Sequence, residues 1–256
     1  MQTHPTAART RARLWEIDVA RGVAVVLMVY FHLMWDLQFL GLSSVNVFSV
    51  PWQAFARGIG SSFAFLMGLS LSLVGARLGD RAALWRYALR RGATIFGLGM
   101  VITAATYVAL GDQFVRFGIL HMLGSMLIIA APLVFAPPWV ALLAGLLMIA
   151  LGVPAGEAVS DGPWLIWLGV QQAGVAMADY YPLLPWGGPA LLGVAFGRWA
   201  YPGGARRLRL PDLSGVAPAR ALGLLGRHSL LIYLAHQPIL LAILYGLRLW
   251  LVPGAA

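Results

Sequence analysis

The chain has 256 residues, of which 60% are hydrophobic and 11% are charged, and cysteine is absent. Because a soluble domain averages about 45–50% apolar and about 25% charged residues, this composition excludes a disordered chain, a collagen and a disulfide scaffold, and it argues against a soluble enzyme. The net charge of +9 comes from 18 basic residues, all arginine, and the length gives room for about seven membrane spans of about 20 residues.

Apolar runs predict the membrane spans in chain order. A polar, basic tail, residues 1–13, precedes a first span over 17–42 that is too long for a signal peptide. Residues 164–170 are apolar but too short to cross, which predicts an interfacial or re-entrant piece. The predicted fold is an all-α, polytopic transmembrane helix bundle, with residues 14–256 as a single domain. The remaining six spans are predicted over 51–75, 87–110, 117–135, 139–153, 182–201 and 228–252, the fifth of the seven being the shortest.

The arginines predict the orientation of these spans. They cluster in the N-terminal tail and in the second-to-third and sixth-to-seventh connections, which seven spans place on one side. Since positive loops face the cytoplasm, we expect a cytoplasmic N-terminus and an external C-terminus. The +9 charge is then a signal of topology and needs no nucleic-acid partner. The clustered residues are Arg9, Arg11, Arg13, Arg77, Arg81, Arg86, Arg90, Arg91, Arg206, Arg207, Arg209 and Arg220.

The first span carries Arg21, His32 and Asp36, and ionisable groups inside a membrane are functional candidates because they are costly to bury. Arg21 and His32 are about three helical turns apart, on one face, or about 16 Å along the axis. Asp36 follows His32 by one turn, so we expect its carboxylate to orient the imidazole. The alternative is that Arg21 only snorkels to the cytoplasmic surface and that His32 is an interhelical hydrogen bonder.

Other polar residues stand in or beside later spans. His121, in the fourth span, is expected at a depth similar to His32, which suggests a shared cavity. His236, with Gln237 beside it, is expected mid-membrane in the seventh span. His121 could instead bond a neighbouring carbonyl. Arg57, in the second span, is expected to pair with Asp36, to pair with Asp179 or to contact substrate. Arg116 opens the fourth span. Asp179 and Trp186 lie in a proline- and glycine-rich break at the outer surface.

Four blocks of sequence contain most of these candidates. In order, they are Glu16-Ile17-Asp18-x-x-Arg21-Gly22 with Phe31-His32, then Arg116-Phe117-Gly118-Ile119-Leu120-His121, then Pro182-Leu183-Leu184-Pro185-Trp186, and finally Gly226-Arg227-His228-Ser229-Leu230-Leu231-Ile232-Tyr233-Leu234-x-His236-Gln237-Pro238. Together they resemble bacterial members of the heparan-α-glucosaminide N-acetyltransferase catalytic-domain family. The first block is also similar to the first span of type-3 sugar O-acyltransferases, whose functional arginine and histidine correspond to Arg21 and His32.

The resemblance implies an integral membrane acyltransferase of the bacterial inner membrane. It would move an acyl group, acetyl in the first instance, from cytoplasmic acyl-CoA to a sugar amine or hydroxyl of an extracytoplasmic glycan or glycolipid. His32 would act as general base or form an acyl-histidine, and His121 or His236 would polarise the thioester carbonyl. The expected site residues are His32, Asp36, His121 and His236 for catalysis, Arg21, Arg90 and Arg91 for the phosphates of CoA, and Arg57, Arg116, Asp179, Trp186 and Gln237 for the acceptor.

Two other classes of function fit the same intramembrane residues. A proton-coupled transporter or sugar-lipid flippase would use the histidines and carboxylates as a proton relay. A structural membrane subunit would have no chemistry of its own. We expect contact with membrane lipid and a possible homodimer. We expect no metal, because nothing in the spacing of the histidines favours a zinc site.

Overall fold

The computed structural model describes residues 14–177 and 179–251, with side chains up to residue 247. The arginines of the predicted N-terminal tail therefore lie outside the described residues. The described part is mostly helical with almost no strand, which confirms an all-α helix bundle. Its α-helices are α1 (Trp15–Phe39), α2 (Val50–Leu78), α3 (Arg81–Leu110), α4 (Ile119–Ala130), α5 (Pro138–Glu157), α6 (Leu183–Ala200), α7 (Ala217–Arg227) and α8 (Ser229–Leu251).

Short elements connect these helices. Single 3-10 turns follow α3, α4 and α6, and another lies at Pro163–Leu165 within the connection from α5 to α6. That connection also contains the two-residue strands Val159–Ser160 and Gln171–Gln172, which pair in parallel. No helix long enough to cross a membrane forms between α5 and α6 in the described residues. The interfacial or re-entrant piece predicted at 164–170 stays a prediction.

Five helices are long and apolar enough to cross a membrane, judged by length and composition: α1, α2, α3, α5 and α8. The fifth predicted span is longer than expected, with 20 residues over Pro138–Glu157. The fourth is a 12-residue helix prolonged by a 3-10 turn to Phe135. The sixth has 18 residues, but its prolines, glycines and Arg198 lower its hydropathy. The count of seven crossings and their orientation stay predictions.

The described chain falls into two compact units. The terminal unit comprises the described residues of 1–45 and 211–256, with α1, α7 and α8. The central unit comprises residues 46–210, with α2 to α6. The predicted single domain over residues 14–256 stays a prediction.

A glycine and an aspartate separate α2 from α3 in the central unit. Gly79 ends α2 with φ of 66°, a left-handed conformation that favours glycine. Asp80 then accepts a hydrogen bond from the backbone N–H of Ala83 at 2.6 Å and so caps the start of α3. These two residues end α2 and begin α3, which explains why residues 50–110 form two helices rather than one.

Helix α6 packs between α2 and α5 through small residues. A Cβ atom at Gly68 would collide with the carbonyl oxygen of Ala190, and one at Gly193 would collide with that of Phe65. On its other side, Gly188 lies against the backbone of Gly145 in α5. Small residues let helix backbones approach closely in membranes, where packing rather than water drives association. The outward faces of α3 and α5 keep large apolar side chains exposed, including Val108, Leu143 and Leu147, and these faces contact lipid.

The terminal unit contains α7, a helix that the sequence analysis treated as part of a connection. It packs against α1 through two glycines. A Cβ atom at Gly22 of α1 would collide with the carbonyl oxygen of Leu222, and one at Gly226 of α7 would collide with that of Asp18. The glycines of the first and last blocks of sequence therefore meet at one helix contact.

We expect Gly226→Ala to lower the free energy of unfolding by about 1–3 kcal/mol, because the added methyl group must push the two helix backbones apart. Gly246→Ala in α8 is the matched control, since no atom lies within 4 Å of its Cβ position, and alanine favours a helix by up to about 1 kcal/mol. Thermal unfolding of the purified protein in detergent measures both. Equal unfolding temperatures for the two variants would contradict this packing.

Candidate functional site

The rings of His32 and His236 are in contact in the terminal unit, between α1 and α8. Their centroids are 4.7 Å apart, and the ring planes meet at 73°. His32 Nδ1 lies 2.9 Å from the carbonyl oxygen of Met28, one turn earlier in α1. Since a carbonyl only accepts, Nδ1 must carry the proton, and the neutral ring therefore presents Nε2 as a lone pair.

His236 has the same tautomer, for the same reason. Its Nδ1 donates to the carbonyl oxygen of Tyr233 at 2.6 Å, with that of Ile232 at 3.2 Å. Its Nε2 is buried and has no hydrogen-bond partner among the described residues. The ring itself is 7% exposed. The two rings in contact therefore each have an Nε2 lone pair, and His236 is the more deeply buried of the two.

The prediction that Asp36 orients the imidazole of His32 is wrong. Asp36 is fully buried, and its Oδ1 accepts a hydrogen bond from Nε2 of Gln237 at 2.6 Å. Nδ1 of His32 instead donates to the carbonyl oxygen of Met28, and the carboxyl group of Asp36 bonds across to α8. Gln237 itself was predicted as an acceptor ligand, but its amide is bonded to this carboxyl group.

Arg21 forms an ion pair within α1. Its Nη1 lies 3.6 Å from Oδ1 of Asp18, one turn earlier. Asp18 is mostly buried, and the sequence analysis did not single it out. The pair places a guanidinium and its counterion on the same helix as His32, at the opposite end.

His121 caps a helix in the central unit. Its Nδ1 accepts the backbone N–H of Gly118 at 3.2 Å, and its Nε2 lies 3.4 Å from Oγ1 of Thr103. Thr103 in turn donates to the carbonyl oxygen of Val115 at 2.7 Å. The ring is 1% exposed and packs against Phe96 at 5.0 Å between centroids. With both nitrogens engaged, the contacts of His121 support a structural role at the start of α4, and its catalytic role stays a prediction.

Asp179 also caps the N-terminus of α4. Its Oδ2 accepts the backbone N–H of Ile119, the first residue of α4, at 3.1 Å. A helix N-terminus favours a negative charge, but burial dominates and raises the pKa of Asp179 to about 6. Burial, followed by the nearby Asp179, also raises the pKa of Tyr181, while Arg57 opposes that rise. The predicted pairing of Arg57 with Asp179 is not among the described contacts, because the carboxylate is bonded to α4.

The pKa of Asp179 predicts a pH-dependent stability. Its folded pKa of about 6 lies above the ordinary value of 3.8, so the folded state holds the proton more tightly than the unfolded chain. The free energy of unfolding should therefore fall as pH rises through this window, by at most about 3 kcal/mol. Asp179→Asn keeps the helix cap and should flatten this slope in thermal unfolding between pH 4 and 7. Asp161→Asn, an exposed acid of the same connection, is the control, and equal slopes in all three proteins would contradict the prediction.

Two further acceptor candidates make aromatic contacts in the central unit. The ring of Trp186 lies 4.8 Å from that of Tyr181. The guanidinium of Arg116 lies 4.2 Å from the ring centre of Phe114, and its Nη1 donates to the carbonyl oxygen of Asp112 at 3.1 Å. The contacts of Arg116 hold the turn that precedes α4, and Trp186 stands at the start of α6.

An arginine-lined groove lies between the end of α2 and the beginning of α3. Its volume is about 450 Å³. Arg90 and Arg91 are both exposed in it, and a groove with this charge suits a phosphate group. We call it the arginine groove, and its lining residues are Val74, Arg77, Leu78, Ala83, Arg86, Tyr87, Arg90, Arg91 and Thr94. In residues 14–177 and 179–251, no group of three or more histidine, aspartate or glutamate side chains could hold a metal ion.

The comparison with protein families identifies the chain. The family described as heparan-alpha-glucosaminide N-acetyltransferase, catalytic, matches residues 13–238. The chain therefore belongs to this family, as its four blocks of sequence predicted, and the family suggests membrane acetyltransferase activity. No curated protein and no solved structure gives a match.

Proposed function

We propose that this member of the family transfers an acetyl group from acyl-CoA to a sugar amine or hydroxyl on the far side of the membrane. The observation that supports this most is the contact of His32 with His236, whose rings are 4.7 Å apart. Both rings donate Nδ1–H to backbone carbonyls and so present Nε2 lone pairs. Acyl transfer to an amine or hydroxyl needs such a base to remove the acceptor proton.

In the proposed reaction, Nε2 of His32 takes the proton of the acceptor amine or hydroxyl. The acceptor nitrogen or oxygen then bonds to the thioester carbon, and the tetrahedral intermediate collapses with cleavage of the carbon–sulfur bond. The proton held by His32 passes to the leaving thiolate, so that the histidine ends neutral. This route needs no oxidant, reductant or metal ion.

The tautomer of His236 favours a different role from the carbonyl polarisation expected from the sequence. A neutral ring whose Nδ1 donates to Tyr233 has no proton on Nε2, so it cannot polarise a carbonyl as proposed from sequence. It can accept a hydrogen bond from His32 once His32 is protonated, and so stabilise that cation. A covalent acyl-histidine is the alternative route, and accumulation of acetylated protein without acceptor would distinguish it from direct transfer.

The arginine groove supports a role in binding the phosphates of CoA. Guanidinium groups form paired, charge-assisted hydrogen bonds with phosphate, and the groove combines Arg77, Arg86, Arg90 and Arg91 with the ring of Tyr87. Arg21 was also expected to bind CoA, and it would have to exchange its ion pair with Asp18 to do so. We therefore assign the phosphates first to Arg90 and Arg91.

For the acceptor, the described contacts favour Arg57 and Trp186 over the other candidates. Arg57 is exposed, and the aromatic pair of Trp186 with Tyr181 offers a face on which a sugar ring can stack. Arg116 is bonded to its own turn, and Asp179 is bonded to the first residue of α4. A bacterial inner membrane location, a cytoplasmic N-terminus, a glycan acceptor and a homodimer complete the proposal.

Purified protein incubated with labelled acetyl-CoA tests the proposed reaction. We expect release of the CoA thiol that depends on an added amino sugar, together with label on that sugar. Movement of a sugar or sugar lipid across a vesicle membrane without CoA would instead favour the transporter. No turnover and no movement would favour the structural subunit and overturn the proposal.

A further inference from the structure

Two buried oxygen atoms at the contact between α1 and α8 lack a hydrogen-bond partner among the described residues. Oδ1 of Asp36 accepts the amide Nε2 of Gln237 at 2.6 Å. The second carboxyl oxygen, Oδ2 of Asp36, and the amide oxygen, Oε1 of Gln237, are both buried, and neither has a hydrogen-bond partner among the described residues. Asp36 as a whole is 0% exposed, so bulk water does not reach it.

An ionised Asp36 does not fit these surroundings. A carboxylate only accepts hydrogen bonds, and the amide oxygen of Gln237 also only accepts. Two unsatisfied acceptors would then lie in one buried pair, with a negative charge inside a membrane span, where each is costly. The described contacts give Asp36 no arginine or histidine as a partner, and its only recorded hydrogen bond is the one to Gln237.

One proton on Asp36 would supply a donor for the unsatisfied acceptors and would remove the buried negative charge. If Oδ2 of Asp36 carries it, the carboxyl group gains a donor that can reach Oε1 of Gln237. Acid and amide then share two hydrogen bonds in a closed ring, with Nε2–H donating to Oδ1 and Oδ2–H donating to Oε1. Every buried polar atom of the pair is satisfied, and no charge is buried.

We propose that Asp36 is a neutral carboxylic acid, paired with Gln237 through two hydrogen bonds, and that this pair fixes α1 against α8. Asp36 lies one turn beyond His32 in α1, and Gln237 follows His236 in α8, so the pair adjoins both histidines. Asp36 and Gln237 are thereby positioning residues for the contact between the two rings. The consequence for catalysis rests on the proposed function, whereas the neutral acid and the pairing do not.

Asparagine at position 36 tests this proposal, because an amide has the same shape as a neutral acid and also offers one donor and one acceptor. We expect Asp36→Asn to keep the unfolding temperature of the full chain in detergent. Asp36→Ala and Gln237→Leu should each lower the unfolding temperature and reduce acyl transfer by about tenfold or more, since each leaves a buried partner unsatisfied.

Infrared difference spectroscopy tests the proton directly. The spectrum of the unsubstituted protein minus that of Asp36→Asn should contain the carbonyl band of a protonated carboxylic acid at neutral pH, shifted in deuterated buffer. Glu157→Gln, which removes an exposed acid at the end of α5, is the control and should leave that band in place.

A carboxylate band in that difference spectrum would overturn the proposal. So would an Asp36→Asn variant that loses as much stability as Asp36→Ala. Both measurements remain decisive if the protein proves to have no acyltransferase activity, so failure of the proposed function and failure of the pairing are distinguishable.

Discussion

Replacement of His32 by alanine is expected to reduce the rate of acyl transfer by about a hundredfold or more. General base catalysis contributes about 10²- to 10⁴-fold, and the Nε2 lone pair of His32 supplies the base in the proposed reaction. The effect should fall on kcat, because the lost interaction forms as the acceptor proton leaves. Initial rates with labelled acetyl-CoA and an amino sugar measure it.

His228→Ala is the matched control for this prediction. His228 also bonds through Nδ1 to a backbone carbonyl, that of Leu224 at 3.0 Å, but it is exposed at the start of α8. Its replacement should leave kcat unchanged. His236→Ala should also lower kcat. The double variant with His32→Ala and His236→Ala should have a kcat only slightly below that of His32→Ala alone, because the effects of residues that act as a unit do not add. Full activity of His32→Ala would remove this residue from the mechanism.

Replacement of both Arg90 and Arg91 by glutamine is expected to raise the KM for acetyl-CoA by roughly a hundredfold or more. Each charge-assisted hydrogen bond to phosphate is worth about 1.5–3 kcal/mol, and tenfold in affinity corresponds to about 1.4 kcal/mol. The kcat should change little, because the phosphates lie far from the reacting thioester and bind equally in ground and transition states. Titration of acetyl-CoA at a fixed acceptor concentration measures both constants.

Two controls separate phosphate binding from topology. Arg209→Gln removes an exposed arginine of the sixth-to-seventh connection and should leave the KM unchanged. An acetylated pantetheine, which lacks every phosphate of CoA, should bind the double variant and the unsubstituted protein equally well. An unchanged KM for acetyl-CoA would show that Arg90 and Arg91 only orient the membrane spans.

Periodicity and hydropathy predicted most helix positions, because apolar runs of this length have few other solutions in a membrane. The seventh span was predicted to start at residue 228, and α8 begins at Ser229. Helix α7 was not predicted, because its 11 residues are too few to cross a membrane and mix Arg220 and Arg227 with leucines and glycines. An amphipathic pattern over 217–227 was the available signal.

The sequence singled out the intramembrane histidines but did not predict their contacts. Composition alone made His32, His121 and His236 stand out, since ionisable groups are rare in such a chain. Expected depth paired His32 with His121, whereas the ring in contact with His32 is that of His236. Asp36 and Gln237 are 201 positions apart, and a contact between two helices depends on rotation and register that one sequence does not determine. The shared role of His121 and Asp179 at the start of α4 was unpredictable for the same reason.

The most direct test of the account uses vesicles that contain the purified protein, with an amino sugar enclosed and labelled acetyl-CoA added outside. For the molecules whose cytoplasmic side faces outward, we predict acetylated sugar inside the vesicle and an equal amount of CoA thiol outside. His32→Ala vesicles should form neither product. Acetylated sugar confined to the side of the acetyl-CoA, or label that crosses without release of the thiol, would contradict acyl transfer across the membrane.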